Sequence, residues 1–110
     1  MYKVEEAIIV EGIYDKIKLS GFIDSLIFVT GGFSVINNKN TQKSIRTLAE
    51  KTGIVILTDS DSAGIKIRNF VKQLVPAECV KHAYVPEIFG KERRKTKASK
   101  EHHEYNFLYF

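Results

Sequence analysis

Short apolar runs recur along this chain, and each of the first three stops abruptly at glycine or polar residues. They cover residues 7–10, 26–29 and 54–57, and a weaker run covers residues 83–85. Such runs, rich in β-branched residues and without polar alternation, are typical of strands buried on both faces of a parallel sheet. The pattern therefore predicts an α/β fold in which about four mainly parallel strands are flanked by helices.

The segments between these runs have the spacing of helices. Ile13 and Ile17 predict a short first helix, and Asn40 and Thr41 are predicted to cap a second one that Gly53 ends. The third stretch has apolar residues at i, i+3, i+4 and i+7, the spacing of an amphipathic helix, at Ile67, Phe70, Val71 and Leu74. Helices that alternate with buried strands predict successive βαβ units.

Acidic residues follow two of the predicted strands. Glu11 comes after the first run, and Asp59 and Asp61 come after the third. The carboxyl ends of parallel strands meet at one edge of a sheet, where ligands bind, so these carboxylates converge if the two strands are neighbours. Their repulsion favours a bound cation, and hard oxygen ligands suit Mg²⁺ or Mn²⁺. We therefore predict a metal site for phosphodiester chemistry, with all three residues as metal-binding and catalytic groups.

A simpler interpretation exists for each acidic residue. Acidic and hydroxyl side chains after a strand commonly cap the next helix, and Asp61 or Ser62 fits that role. For a single aspartate the cap is the better hypothesis. A Glu-Gly pair and an Asp-x-Asp-x-x-Gly pattern after two separate strands together favour the metal site.

The residues around the carboxylates are candidates for binding nucleic acid. Glycine allows close approach of a phosphate backbone, although it also serves in ordinary turns. Basic side chains attract phosphates, although for each one taken alone a solvated helix face is the better hypothesis. Asp15 lies one helical turn after Glu11 and either reaches the site or caps its own helix. The candidates are Gly12, Asp15, Lys16, Gly32, Gly64, Lys66 and Arg68.

Charge divides the chain into two regions. Residues 1–90 contain eleven Lys/Arg and ten Asp/Glu, whereas residues 91–110 contain six and three. We predict one folded domain over residues 1–90 and a basic, aromatic tail over residues 91–110, the start of a second domain. A short basic run either contacts phosphates or lies idle in solvent. The candidates for phosphate contact there are Lys91, Arg93, Arg94 and Lys95.

Several classes of protein are excluded by composition. No apolar run approaches the roughly 20 residues of a membrane helix, and no secretory signal precedes the first strand. The single cysteine, Cys79, forms neither an internal disulfide nor a zinc cluster. We therefore expect a cytoplasmic protein that does not associate with membranes and has no organic cofactor.

Two segments together resemble the motifs of the Toprim family, which has a Rossmann-like fold. They are residues 9–15 (Ile-Val-Glu-Gly-Ile-Tyr-Asp) and residues 57–64 (Leu-Thr-Asp-Ser-Asp-Ser-Ala-Gly). The family includes topoisomerases, bacterial primases, recombination proteins and nucleases, and the resemblance spans about residues 4–88. Within it, the chain is most similar to the endoribonucleases of the ribonuclease M-five type, through residues 14–19, 30–33, 65–69, 81–86 and 90–95.

The resemblance implies a Mg²⁺-dependent endoribonuclease that matures 5S rRNA precursor, assisted by the ribosomal protein that binds 5S rRNA. By position, Glu11, Asp59 and Asp61 would be its metal-binding carboxylates. The chain departs from the family at Gly31, where asparagine is usual, and it stops at residue 110 before a second, RNA-holding domain. We expect a shortened chain to keep the metal site and to bind RNA less well.

Other members of the family fit the sequence less well. A primase needs a zinc module and a polymerase subdomain, and a topoisomerase needs a nucleophilic tyrosine on a separate domain. A hypothesis of another class is a non-catalytic module that keeps the fold and docks on RNA or on a ribosomal protein. The sequence leaves open the cleavage site, the number of metals and the oligomeric state.

Overall fold

A computed structural model of the chain describes residues 1–85. The predicted basic tail and its candidates, Lys91, Arg93, Arg94 and Lys95, lie outside the described residues. Within residues 1–85 the strands are β1 (Tyr2–Lys3), β2 (Ala7–Val10), β3 (Ile23–Asp24), β4 (Ile27–Val29), β5 (Ile54–Asp59) and β6 (Val80–Val85). The α-helices there are α1 (Ile13–Ser20), α2 (Lys39–Thr52) and α3 (Ser62–Lys72), with 3₁₀ segments at Gly32–Asn37 and Ala77–Cys79.

Four of the strands form one parallel sheet in the order β4-β2-β5-β6. The α/β fold predicted from the apolar runs, with its four parallel strands and flanking helices, is therefore confirmed. Strands β2 and β5 are hydrogen-bonded neighbours, and Ile9 pairs with Ile56. Their carboxyl ends consequently lie side by side, which was the condition for the predicted convergence of acidic residues.

The sheet is buried on both faces by two apolar clusters. On one face, Ile9 and Ile56 pack with Ile45 of α2 and Ile67 of α3. On the other face the cluster contains Ile8, Val10, Leu19, Ile23, Ile27, Val55, Leu57 and Ala83. Alternate residues of β2 and β5 enter opposite clusters, as the strand period of two requires. Burial on both faces explains why these strands read as continuous apolar runs.

The structure differs from the sequence prediction at several boundaries. Helix α2 begins at Lys39, because the side chain of Asn38, not Asn40 or Thr41, caps it: Asn38 Oδ1 accepts a hydrogen bond of 3.0 Å from the Thr41 N–H. Strand β6 starts at Val80, three residues before the predicted run. The small parallel pair β1–β3 was not predicted, since strands of two residues carry no readable periodicity.

No helix within residues 1–85 is both long and apolar enough to cross a lipid bilayer.

Candidate functional site

The turn between β2 and α1 carries Glu11. The Gly12 N–H donates to Asp15 Oδ2 over 3.1 Å, so Asp15 closes the first turn of α1. The Glu11 carbonyl accepts from the N–H groups of Gly31 and Gly32 over 3.0 and 3.1 Å. Both of these glycines have positive φ, 80° and 67°, a conformation that other residues adopt only with strain. The backbone of Glu11 is therefore fixed by the loop that follows β4.

Strand β5 ends at Asp59, and the turn from it to α3 carries Asp61. Asp61 is the N-cap of α3, and its Oδ1 accepts a 2.8 Å hydrogen bond from the Gly64 N–H. A Cβ atom on Gly64 would lie 2.2 Å from the carbonyl oxygen of Asp59, closer than any packing allows. Glycine at this position thus lets α3 pack directly against the end of β5, and the cap interpretation of Asp61 holds in this structure.

The two turns meet at the edge of the sheet. Glu11 Oε2 accepts a 3.3 Å hydrogen bond from the Asp59 backbone N–H, which bridges the ends of β2 and β5. Partial burial raises the pKa of Glu11, the hydrogen bond from Asp59 opposes this, and the charges of Asp59, Asp15 and Asp61 raise the pKa further. The predicted residues therefore lie close enough to one another to interact electrostatically, and Asp15 belongs to the same negative cluster.

Asp59 is affected by the same surroundings. Burial raises its pKa most, followed by the charges of Asp15 and Asp61, whereas Lys18 acts in the opposite direction. A raised carboxylate pKa means that the ionised form is disfavoured, and a bound cation relieves that penalty. The electrostatics of the edge are those of a site that gains from a positive ligand.

The carboxylates do not form a complete set of metal ligands in this structure. Across residues 1–85, no three His, Cys, Asp or Glu side chains are grouped so that they hold a metal ion directly. Glu11, Asp15 and Asp61 each use one carboxylate oxygen for a backbone N–H, through Oε2, Oδ2 and Oδ1 respectively. The second oxygen of each remains for a ligand. The donor set suits a hard divalent cation that retains several waters, as Mg²⁺ does.

The predicted nucleic-acid contacts divide into two groups. Lys16 and Lys66 are exposed on α1 and α3, where phosphates can reach them. The backbone N–H groups of Gly12, Gly32 and Gly64 already donate to Asp15, Thr30 and Asp61, respectively, and Gly64 is buried. These glycines shape the turns, and their N–H groups do not point freely toward a phosphate.

Arg68 corrects the prediction that it lies on a solvated helix face. Its side chain is only 2% exposed, because it reaches from α3 under the ends of β5 and β6. It donates to Thr58 Oγ1 over 3.0 Å and to the Ala83 carbonyl, and it bonds His82 Nδ1 at 2.8 Å. The guanidinium carbon lies 3.8 Å from the centroid of the Tyr84 ring. A direct phosphate contact is therefore not available to Arg68 in this arrangement.

The polar cluster of Arg68, Thr58 and His82 was not predicted from the sequence. Burial and the positive charges of Arg68 and Lys72 lower the pKa of His82. A neutral ring fits the contact, since Arg68 has only donors and Nδ1 must accept. The available signal was Thr58, a polar residue at the end of the apolar run of β5, which indicates a polar partner on the covering helix.

Comparison with known proteins identifies relatives along most of the chain. The Toprim domain family matches residues 6–88. The chain is 37% identical over 101 residues to Ribonuclease M5 of Bacillus subtilis, a match covering 91% of this chain and 52% of the relative. It is 36% identical over 87 residues to Ribonuclease M5 of Clostridium botulinum, covering 79% of this chain and 46% of that one. The chain thus spans about half the length of these curated relatives.

A solved structure shares the fold. It is described as a small TOPRIM domain protein from Bacillus stearothermophilus, and the superposition has a TM-score of 0.58 at 28% sequence identity. The match covers 81% of this chain and 75% of the other. The overall fold of the chain is therefore found in a second protein.

Proposed function

The chain belongs to the Toprim domain family, and we propose that it carries out metal-dependent cleavage of RNA phosphodiester bonds. The observation that supports this most is the meeting of two turns from separate strands, which brings Glu11 beside Asp59. Burial and the neighbouring negative charges both raise the pKa of Glu11 and of Asp59, which supports the proposal of a cation at this edge. A divalent cation held there would offset the repulsion among the carboxylates and would also attract a substrate phosphate.

In the proposal, Mg²⁺ or Mn²⁺ is held by free oxygens of Glu11, Asp59 and Asp61. The bound ion would orient the scissile phosphate and offset the negative charge that develops on it. The protein's own contribution is positional: Gly31 and Gly32 fix the Glu11 backbone.

The proposed substrate is a precursor of 5S rRNA, because the similar proteins are named Ribonuclease M5. We propose that Lys16 and Lys66, both exposed beside the edge, attract the RNA backbone. The basic run from Lys91 to Lys95 is proposed to extend this contact, and a ribosomal protein bound to 5S rRNA is proposed as a partner. The reaction is expected in the cytoplasm.

The test is a cleavage assay on end-labelled 5S rRNA precursor with and without Mg²⁺. The unmodified chain is compared with Glu11→Gln and with Glu50→Gln, a matched change at an exposed glutamate of α2. We expect cleavage that requires Mg²⁺, at least a 100-fold loss in Glu11→Gln, as is typical when a group that assists catalysis is removed, and full activity in Glu50→Gln. Equal activity in both variants would assign the chemistry to other residues.

One observation favours a second candidate, a module that binds RNA without cutting it. Asp15 and Asp61 both serve as helix caps, and no closed three-ligand group exists within residues 1–85. Such a module would bind the precursor and leave it intact, with an affinity that does not change in Glu11→Gln. The same assay, read by both binding and cleavage, separates the two functions.

A further inference from the structure

Arg68 is a buried cation: burial lowers its pKa, although the charge of Glu11 favours the charged form to a smaller extent. Its side chain is 2% exposed, and no carboxylate among residues 1–85 forms an ion pair with it. Its Nε–H is also buried and has no hydrogen-bond partner in that part of the chain. An unpaired buried cation is costly. Its hydrogen bonds to Thr58, His82 and Ala83 alone therefore do not explain why an arginine is placed there.

The remaining contact of the guanidinium is with the ring of Tyr84. The guanidinium carbon is 3.8 Å from the ring centroid, a cation–π distance, yet Tyr84 is 44% exposed. Arg68 itself is fixed by its bonds to Thr58, His82 and the Ala83 carbonyl. One face of the Tyr84 ring thus contacts the hydrogen-bonded guanidinium of Arg68, whereas much of the residue is exposed to solvent.

The position of Tyr84 connects it to the carboxylate edge. Tyr84 of β6 pairs in register with Thr58 of β5, the residue immediately before Asp59. Neighbouring strands are separated by about 4.8 Å, so the Tyr84 backbone lies one strand spacing from Thr58, the residue that precedes Asp59. The side chain stands on the face covered by α3, because Arg68 of α3 contacts both Thr58 and Tyr84.

We propose that Tyr84, held in place by Arg68, is a stacking platform for an unpaired nucleobase of the strand bound at the carboxylate edge. The inference rests on the proposed function, since it assumes that nucleic acid binds there. Bases stack on exposed aromatic rings with little dependence on sequence. A ring that is already oriented loses less conformational freedom on binding. The ligand class is single-stranded or locally unpaired RNA, because paired bases are stacked inside a helix.

The platform is tested by fluorescence, because the chain contains no tryptophan. Tyr84→Trp introduces a single reporter at the platform, and Tyr2→Trp is the matched control, since Tyr2 is 41% exposed and belongs to the separate β1–β3 pair. Each variant is titrated in EDTA with a short single-stranded oligoribonucleotide and with an abasic oligomer of the same length. We expect quenching only in Tyr84→Trp and only by the oligomer that carries bases.

Affinity gives a second, independent readout. We expect Tyr84→Ile to bind the base-containing oligomer about 5- to 150-fold more weakly, the equivalent of about 1–3 kcal/mol for one stacked base. Tyr84→Phe keeps the ring and should bind as the unmodified chain does. All variants should bind the abasic oligomer equally, and circular dichroism should show that Tyr84→Ile, a change to a good strand former on an edge strand, remains folded.

Two results would overturn the platform: no quenching in Tyr84→Trp, or unchanged affinity of a folded Tyr84→Ile for the base-containing oligomer. Because these measurements use no metal, they are independent of cleavage. If the stacking measurements fail but cleavage still depends on Glu11, only the stacking inference is rejected. Stacking without any cleavage of the precursor would instead contradict the proposed function.

Discussion

The two strand-to-helix turns at the sheet edge use the same pair of residue types in reverse order, with Gly12 as the N-cap of α1 and Asp61 as the N-cap of α3, and they differ in packing. In each, an aspartate side chain accepts a hydrogen bond from a glycine N–H three residues away, Asp15 with Gly12 and Asp61 with Gly64. A Cβ on Gly12 would meet no heavy atom closer than 3.8 Å, whereas a Cβ on Gly64 would lie 2.2 Å from the Asp59 carbonyl. The first turn is open and the second is closed.

The helices that follow these turns, α1 and α3, also differ in how closely they pack against the sheet. Helix α1 leaves Ile13 and Ile17 largely exposed, at 54% and 62%, whereas α3 buries Ile67 and Val71 almost completely. The closed turn therefore holds Asp59 against a rigid support, and the open turn leaves room beside Glu11. The β5–α3 turn therefore fixes one side of the site.

The largest expected effect concerns the closed turn. Gly64→Ala forces the start of α3 away from β5, and we expect a loss of about 3 kcal/mol or more in the free energy of unfolding. For a domain of this size that lowers the melting temperature by about 12 °C or more. Gly12→Ala is the matched control and should change the melting temperature by less than about 3 °C, since its methyl group has room. Similar losses in both variants would remove the distinction between the turns.

The next effect is stabilisation by a metal that bridges the turns. At a Mn²⁺ concentration 100 times the dissociation constant, we expect the unfolding free energy to rise by about 2.7 kcal/mol. Asp59→Asn should largely lose this gain. Asp24→Asn, a matched change at an exposed aspartate of β3, should keep it. Thermal melts with and without Mn²⁺ decide the point, and an equal gain in all three proteins would place the metal elsewhere.

A smaller effect is expected from the cap of the closed turn. Asp61→Ala removes the acceptor of the Gly64 N–H and should cost about 1 kcal/mol, the typical value of an N-cap. Asp61→Asn keeps an acceptor oxygen and should restore most of that stability while still weakening Mn²⁺ binding. Chemical denaturation measures the first quantity and calorimetric titration the second. If Asp61→Asn binds Mn²⁺ normally, Asp61 is only a cap.

The smallest effect compares the two glutamates that flank β2. Glu11 has a raised pKa, so its ionisation penalises the folded state as pH rises above its ordinary value of 4.5, and the penalty is absent below that pH. Glu6 has a pKa lowered by its hydrogen bond with Lys81 at 2.6 Å, so its contribution has the opposite sign and disappears as pH falls. Without metal at pH 7, Glu11→Gln should raise the melting temperature and Glu6→Gln should lower it, each by a few degrees or less. Shifts of the same sign would contradict the electrostatic account.

The four-stranded sheet could be predicted from the sequence, and so could the meeting of the two strand ends that carry acidic residues. Apolar runs of four residues predict buried parallel strands, and that arrangement places Glu11 and Asp59 at one edge. Arg68 was misplaced because its charge favoured a solvated face, although it lies on the buried stripe of α3 with Ile67 and Val71. Asp61 remained ambiguous, since one carboxylate is able both to cap a helix and to bind a metal.

The platform formed by Tyr84 was also beyond sequence reasoning. Its role depends on pairing between Thr58 and Tyr84, which are 26 positions apart in the chain and meet only through strand register. The apolar run at residues 83–85 predicted a strand but gave no information on its neighbour or on the helix covering it. Contacts that depend on register and on the direction of one side chain become visible only in three dimensions.

The most direct test of the account is the anomalous difference density of a crystal soaked in Mn²⁺. The account predicts a peak between the two turns, with oxygens of Glu11 and Asp59 at about the 2.0–2.1 Å typical of Mg²⁺ coordination and the free oxygen of Asp61 turned toward it. A fully soaked crystal with no peak at this edge, or with its peak bound by other residues, would contradict the claim that these turns form a metal site.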